Sequence, residues 1–423
     1  MTSTLLPSPK LNTPKIEQLS NGLTIVAEQM PVDAVNLNLW LNVGSALESD
    51  AINGMAHFLE HMVFKGTKKL ASGEFERLIE QRGAVTNAAT SQEYTHYYIT
   101  TAPQDFAELA PLQLEVVLNP SIPDEAFERE RLVVLEEIRR SEDNPRRRTY
   151  YRTMEAAFEQ LPYRRHVLGP REVIEGLQPQ QMRDFHHQWY QPQSMTVSVV
   201  GNLPVDELIS IVQDNLQELP SNPIQSRPQF EPESTVKSIV RHEYVDASLQ
   251  QGRLVMMWRV PGLNQLSQTY GLDVLSAILG QGRMSRLFRD LREERALVSR
   301  IGVSNINYLA QGVFYISAHL PTENLSIVET AITDHIRQLQ TELVAESEIN
   351  RIRTQVANRF IFANERPSAR ANLYGYYYSI LGDLVPALEY PQRIQSLDAS
   401  DLQAAAQRYL SPDAYSVVVI RPE

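Results

Sequence analysis

Asn53-Gly-Met-Ala-His57-Phe-Leu-Glu60-His61-Met-Val63 joins a helix signal to a chemical one. Met55, Phe58, Leu59, Met62 and Val63 recur three and four residues apart, the spacing of an apolar helix face laid against a sheet, and Asn53-Gly54 suits the start of such a helix. With about 3.6 residues per turn, His57 and His61 stand one above the other. Neutral imidazole nitrogens so placed can share one metal ion. Glu60 falls beside them, where a carboxylate can hold a water on the ion and take its proton as a general base. The order is H-x-x-E-H, the reverse of the H-E-x-x-H arrangement.

Two imidazoles do not close a site, because catalytic zinc takes three protein ligands and keeps a fourth position open. The chain has no cysteine, so a third donor must be nitrogen or oxygen. Pro123-Asp-Glu-Ala-Phe-Glu-Arg-Glu-Arg-Leu-Val-Val-Leu-Glu-Glu-Ile-Arg-Arg140 reads as a helix. Pro123 fits its first position, Asp124 and Glu125 its positive end, and Arg139 and Arg140 its negative end. Glu130 and Glu137 share one face, with Val133 and Val134 between them. Spacing does not choose among the glutamates of this helix, and a solvated charged face is the plain alternative.

Gly54-Met-Ala-His57-Phe-Leu-Glu-His61-Met-Val-Phe-Lys-Gly-Thr67, with Trp40 and Gly44-Ser45 before it, resembles the pitrilysin family of inverted-motif zinc metallopeptidases, the inverzincins. Within that family it is most similar to the processing-peptidase branch of two-domain subunits, and the resemblance runs along nearly the whole chain. It implies one zinc ion per chain, held by His57, His61 and Glu137, the last in a segment resembling Glu128-Arg-Glu-Arg131 and Val133-Val-Leu-Glu-Glu137. It also implies an acidic position behind the ligands at Glu130, able to orient one of them. Asn87, Ala88, Ala89 and Thr90, before the strand-like Tyr97-Tyr-Ile-Thr100, resemble an edge strand that pairs with an extended substrate peptide. By composition alone, Asn-Ala-Ala-Thr reads as a turn.

The same resemblance implies an arginine and, seven positions on, a tyrosine in the half without zinc, contacting the substrate carbonyl. Here Arg292 is followed at that distance by Ser299. The expectation is therefore a dimer, and in its finer form a heterodimer in which a related subunit supplies the missing pair. The implied activity is endopeptidase cleavage of extended peptides or unfolded segments in an enclosed chamber. The alternatives are a non-catalytic scaffold subunit of a larger complex, or a processing peptidase specific for targeting sequences.

The two halves of the chain repeat. Ile174-Glu-Gly-Leu177, Met182, Trp189, Pro192 and Val197-Ser-Val-Val200 recur 220 residues later as Ile394-Gln-Ser-Leu397, Leu402, Tyr409, Pro412 and Val417-Val-Val-Ile420. Trp40 recurs as Trp258 at a spacing of 218, and that register sets Leu275, Ile278 and Leu279 against His57, Glu60 and His61. The expected fold is α+β: two homologous domains from an internal duplication, each a mainly antiparallel sheet with helices packed on one face. The zinc-bearing domain is expected over 1–219, a proline-marked linker over 220–240, and the domain without the motif over 241–423.

A hydrophobic fraction of 43% and a charged fraction of 21% fit a globular enzyme. No apolar run is long enough to span a bilayer, so no membrane association is expected. Met1 to Lys10 lacks a secretory h-region and an Arg-rich amphipathic helix, so a cytoplasmic location is expected. The net charge of −12 argues against nucleic acid as a partner. If that acidic excess lines a cleft, it draws in positively charged peptides. The short clusters Arg146-Arg-Arg148 and Arg164-Arg165 read as solvated surface.

Overall fold

A computed structural model describes residues 11–216 and 227–423. The first half runs β1 (Lys15–Gln18), β2 (Thr24–Gln29), β3 (Val35–Leu41), α1 (Met55–Met62), α2 (Glu74–Gln81), β4 (Val85–Thr90) and β5 (Thr95–Thr101). It continues through α3 (Pro103–Leu118), α4 (Asp124–Asp143), α5 (Pro145–Ala157), α6 (Arg171–Gly176), α7 (Pro179–Trp189), β6 (Met195–Gly201) and α8 (Val205–Gln213). The second half comprises β7 (Val240–Val245), β8 (Gly252–Pro261), α9 (Tyr270–Gly280), β9 (Arg300–Asn307), β10 (Gln311–Leu320) and α10 (Leu325–Thr341). α11 (Glu346–Ala363), α12 (Pro367–Leu381), α13 (Val385–Ser396), α14 (Ala399–Tyr409) and β11 (Ser416–Arg421) complete it.

The strand orders are β1-β2-β6-β3-β5-β4 and β7-β11-β8-β10-β9. Among the described residues only the β2–β6 and β11–β7 pairings are parallel, so both sheets are mainly antiparallel. The duplication is visible element by element. α7 and α14 coincide at the 220-residue spacing, and β3 and β8 each sit at the centre of their sheet.

β3 and β6 are buried along their whole length because both sheet faces are covered. Ile25, Leu37, Leu39, Val197 and Val199 face the core made with α1, α3, α4 and α7. The alternate residues Val26 and Val200 face the other way and pack on Ala371 and Tyr374 of α12, a helix of the second half. The exchange is reciprocal: Val255, Met257 and Val418 of the second sheet pack on Met154 and Ala157 of α5. Each half thus lays several of its own helices on one face of its sheet and receives one from its counterpart on the other.

α12 lies close because residue 375 is glycine. A Cβ there would come within 2.0 Å of the Trp40 indole nitrogen. A buried ion pair fixes the docking, with Arg370 Nη1 2.9 Å from Glu28 Oε1 and the Tyr374 hydroxyl donating to Glu28 Oε2 at 2.7 Å. Breaking one side of such a pair costs about 3–5 kcal/mol.

Residues 220–226 of the expected linker, and Met1 to Lys10, lie outside the described residues. Residues 227–239 form no helix or strand, and Glu233 ties them down. Its Oε1 accepts the backbone N–H groups of Gln160 and Leu161 at 2.8 and 2.7 Å, and its Oε2 meets Arg259 at 2.8 Å. No helix among the described residues is long and apolar enough to cross a membrane.

Candidate metal centre and peptide cleft

α1 begins where the sequence marks it, but Asn53 does not cap it. Gly54 occupies the N-cap with φ +98°, and a Cβ there would meet the Leu168 carbonyl oxygen at 2.5 Å. The free N–H groups of Gly54 and Ala56 are taken instead by the buried carboxylate of Glu48, at 2.8 and 2.7 Å. Asn53 braces that carboxylate through Nδ2 at 2.8 Å. Burial pushes the Glu48 carboxyl above the ordinary range, against the pull of these donors. An acid that caps a helix from outside it leaves no local signal in sequence.

α4 starts one residue later than expected, with Pro123 as the extended N-cap residue, and continues to Asp143. Phe127, Val134 and Ile138 hold it against α1 while Val133 faces solvent, so the apolar stripe is narrower than the sequence suggests. This packing brings Glu137 between the two imidazoles. Its Oε2 stands 3.5 Å from His57 Nε2 and 3.7 Å from His61 Nε2. These separations are too long for hydrogen bonds. They are close to the ligand–ligand edge of about 3.4 Å expected when metal–ligand bonds near 2.1 Å are arranged tetrahedrally. Among the described residues, His57, His61 and Glu137 are the group whose donor atoms converge this way, all within 4.8 Å of one another.

The surroundings favour a neutral His57 and an oriented His61. Burial, followed by the charges of His61 and Arg147, lowers the His57 pKa to about 3, so this imidazole is uncharged at neutral pH. Glu130 Oε1 lies 2.9 Å from His61 Nδ1, which keeps the proton on that nitrogen and turns Nε2 toward Glu137. Lys65 holds the other oxygen of Glu130 at 2.7 Å. Burial pushes the Glu130 carboxyl up, but the His61 and Lys65 contacts outweigh it and hold it below the ordinary range. His57 Nδ1 is buried and has no hydrogen-bond partner among the described residues. Two nitrogens and a carboxylate oxygen suit zinc.

Glu60 faces the same space. Its carboxyl is raised by burial, an effect opposed by the Thr90 hydroxyl, which donates to Oε2 at 2.5 Å. Thr90 ends β4, and β4 is one of the two outer strands of the first sheet. Asn87, Ala88, Ala89 and Thr90 therefore lie on a true edge strand, not in a turn, and pair with Tyr98, Tyr97, His96 and Thr95 on the inner side.

Beyond Thr90 opens a cleft of about 510 Å³ lined by His57, Glu60, Glu137, Tyr150 and Tyr151, together with Arg146, Arg147, Arg164 and Arg165. Arg146 and Arg147 are exposed, as the sequence suggests, but together with Arg164 and Arg165 they make this wall basic even though the chain as a whole is acidic. The cause is tertiary: the start of α5 and the turn after Tyr163 meet across the cleft, a proximity that neither short charge run reveals. Arg148 alone turns away, to Asp246 at 2.7 Å.

Arg292 does not join the site. It is exposed, its guanidinium lies 4.7 Å over the Phe288 ring, and it does not line the cleft. Ser299 Oγ donates to Gln251 Oε1 at 2.5 Å. In α9, Leu275, Ile278 and Leu279 are fully buried core residues with no donor atoms for a metal.

Duplicated α+β halves, one of them carrying an H-x-x-E-H helix whose histidines meet a distant glutamate, define the inverted-motif zinc-peptidase class. Residues 24–171 match the domain described as Insulinase (Peptidase family M16), and residues 176–356 match the Peptidase M16 inactive domain. The chain belongs to peptidase family M16. An uncharacterized zinc protease of Rickettsia bellii is 29% identical over 405 residues, covering 96% of this chain and 97% of that one. The zinc protease PqqE of Helicobacter pylori is 26% identical over 412 residues, covering 96% and 92%. The crystal structure of a protease from Helicobacter pylori superposes with a TM-score of 0.91 at 26% identity, covering 97% of this chain and 100% of that one.

Proposed function

We propose that this chain is a zinc-dependent endopeptidase that hydrolyses extended peptides or unfolded segments. The observation that carries the proposal is the convergence of His57, His61 and Glu137 beside Glu60, next to an unpaired strand edge. In this reading the three side chains hold one zinc ion. When bound, zinc supplies Lewis acidity, polarising the scissile carbonyl and bringing the pKa of a neighbouring water toward neutrality. β4 takes the substrate backbone as an added strand, which favours extended chains over folded ones. Glu60, steadied by the Thr90 hydroxyl, removes the water's proton as its oxygen attacks the carbonyl carbon, then passes that proton to the leaving amine.

The proposal extends to assembly. Arg292 lies away from the cleft and Ser299 occupies the expected tyrosine position, so the substrate-contacting pair is assigned to a second subunit closing over the cleft, a related chain in a heterodimer. The proposed domain limits are 1–219 and 241–423, and the proposed compartment is the cytoplasm. The purified chain, loaded with zinc, is assayed on unstructured fluorogenic peptides before and after chelation. Cleavage that disappears with chelator and returns with zinc is expected. Full activity of the chain alone, as monomer or homodimer, overturns the heterodimer, and cleavage indifferent to chelation overturns the zinc mechanism. Recovery of the chain from a periplasmic fraction overturns the compartment.

A further inference from the structure

We propose that the cleft selects peptides carrying an aspartate or glutamate side chain on one side of the scissile bond, seated by Arg147 and Arg164. This rests on the peptidase reading and adds a substrate class to it. Arg165 is already committed to Asp50 at 3.2 Å. Arg146, Arg147 and Arg164 line the cleft with no carboxylate at ion-pair distance, and their guanidinium groups make no hydrogen bond among the described residues. The carboxylates lining the same space are Glu60 and Glu137, both taken up by the metal centre.

The placement of these cations runs against local stability. Arg146 and Arg147 occupy the first turn of α5, which contains no acidic residue, where the helix dipole disfavours positive charge. α2, α4 and α11 all begin with acids. Arg148, in the next position, is compensated by Asp246, whereas its two predecessors are not. A breach of a local rule with no internal compensation marks a functional position.

The preference is one-sided because the other side of Glu60 offers no uncommitted cation. A second cleft, of about 290 Å³, lies along Asn87 and Ala88, and there Lys65 and His61 are both satisfied by Glu130. Glu60 lines both spaces, so a peptide strand laid on β4 passes from the cleft beside Glu130 to the arginine-lined one across the point of attack.

Fluorogenic peptides differing only by Glu, Gln or Lys, scanned through positions on both sides of the cleaved bond, test this on the zinc-loaded wild type and on an R147E/R164E double variant. The uncleaved peptides are also titrated by fluorescence anisotropy onto zinc-loaded E60Q protein, at low and high salt. At one side only, Glu is expected to exceed Gln by about tenfold or more in kcat/KM and in affinity. The gap should narrow in high salt and reverse in favour of Lys in the double variant. Equal values for Glu and Gln with active enzyme overturn the seat and leave the peptidase standing, as does a Glu preference that survives R147E/R164E. Glu-selective binding to the E60Q protein, with no cleavage of any peptide by the wild type, supports the seat and overturns peptidase activity of the chain on its own.

Discussion

Replacing Glu130 with alanine should weaken zinc binding without touching a ligand. Glu130 holds His61 Nδ1 at 2.9 Å and is itself held by Lys65 at 2.7 Å, so it is a fixed acceptor and not a mobile surface acid. Without it the His61 ring is free to rotate about its bond to Cβ, the tautomer with Nε2 unprotonated loses its bias, and Lys65 is left as an unopposed cation beside an incoming one. Loss of such an outer partner costs about 10–100-fold in metal affinity, or about 1.4–2.8 kcal/mol. Glu130→Gln keeps an acceptor oxygen and should fall nearer the low end. Competition with a chromogenic chelator gives Kd directly, and the denaturant midpoint of the metal-free protein shows whether the fold has changed. An unchanged zinc Kd in Glu130→Ala, with an intact fold, refutes the orienting role.

Glu60→Gln should retain zinc and lose turnover, whereas His57→Ala should lose both; metal analysis beside peptidase assays separates the two, and an active Glu60→Gln protein removes the general base. Gly375→Ala should destabilise the protein by about 1–3 kcal/mol by overpacking α12 on Trp40; a melting temperature equal to that of the wild type would contradict the close approach. Asp273 receives Asn305 Nδ2 at 2.9 Å, yet burial raises its pKa from 3.8 to about 6. The fold therefore favours its protonated form, and the stability this lends is present below about pH 3.8 and lost as pH rises through 6. The stability of Asp273→Asn relative to wild type should climb between those values and then level off, and a flat difference in denaturation midpoints from acid to neutral pH would contradict the shift.

The clustering of His57, Glu60 and His61 at the candidate metal centre was legible because they lie on one short helix, where spacing fixes geometry. Glu137 needed the family resemblance, since seven-residue spacing along α4 serves Glu130 equally well. The edge strand was legible only by resemblance, as Asn87-Ala-Ala-Thr90 carries turn-like composition while its pairing partner lies in the next strand. Glu48, the arginine wall and the exchanged helices left no local trace. Each depends on segments far apart in the chain meeting in space, and neither periodicity nor charge runs report such meetings. Val133 shows the same limit on a smaller scale, apolar in a helical pattern yet turned to solvent.

The swap of α5 and α12 makes the two copies mutually indispensable. A polypeptide cut between Leu216 and Arg227 would yield pieces that each bare an oily sheet surface and trail a helix with nothing beneath it. Such pieces should be insoluble when expressed singly and regain shape when co-expressed. Because α5 also carries Arg147 at its start, any tilt of the second sheet is levered straight onto the wall of the cleft.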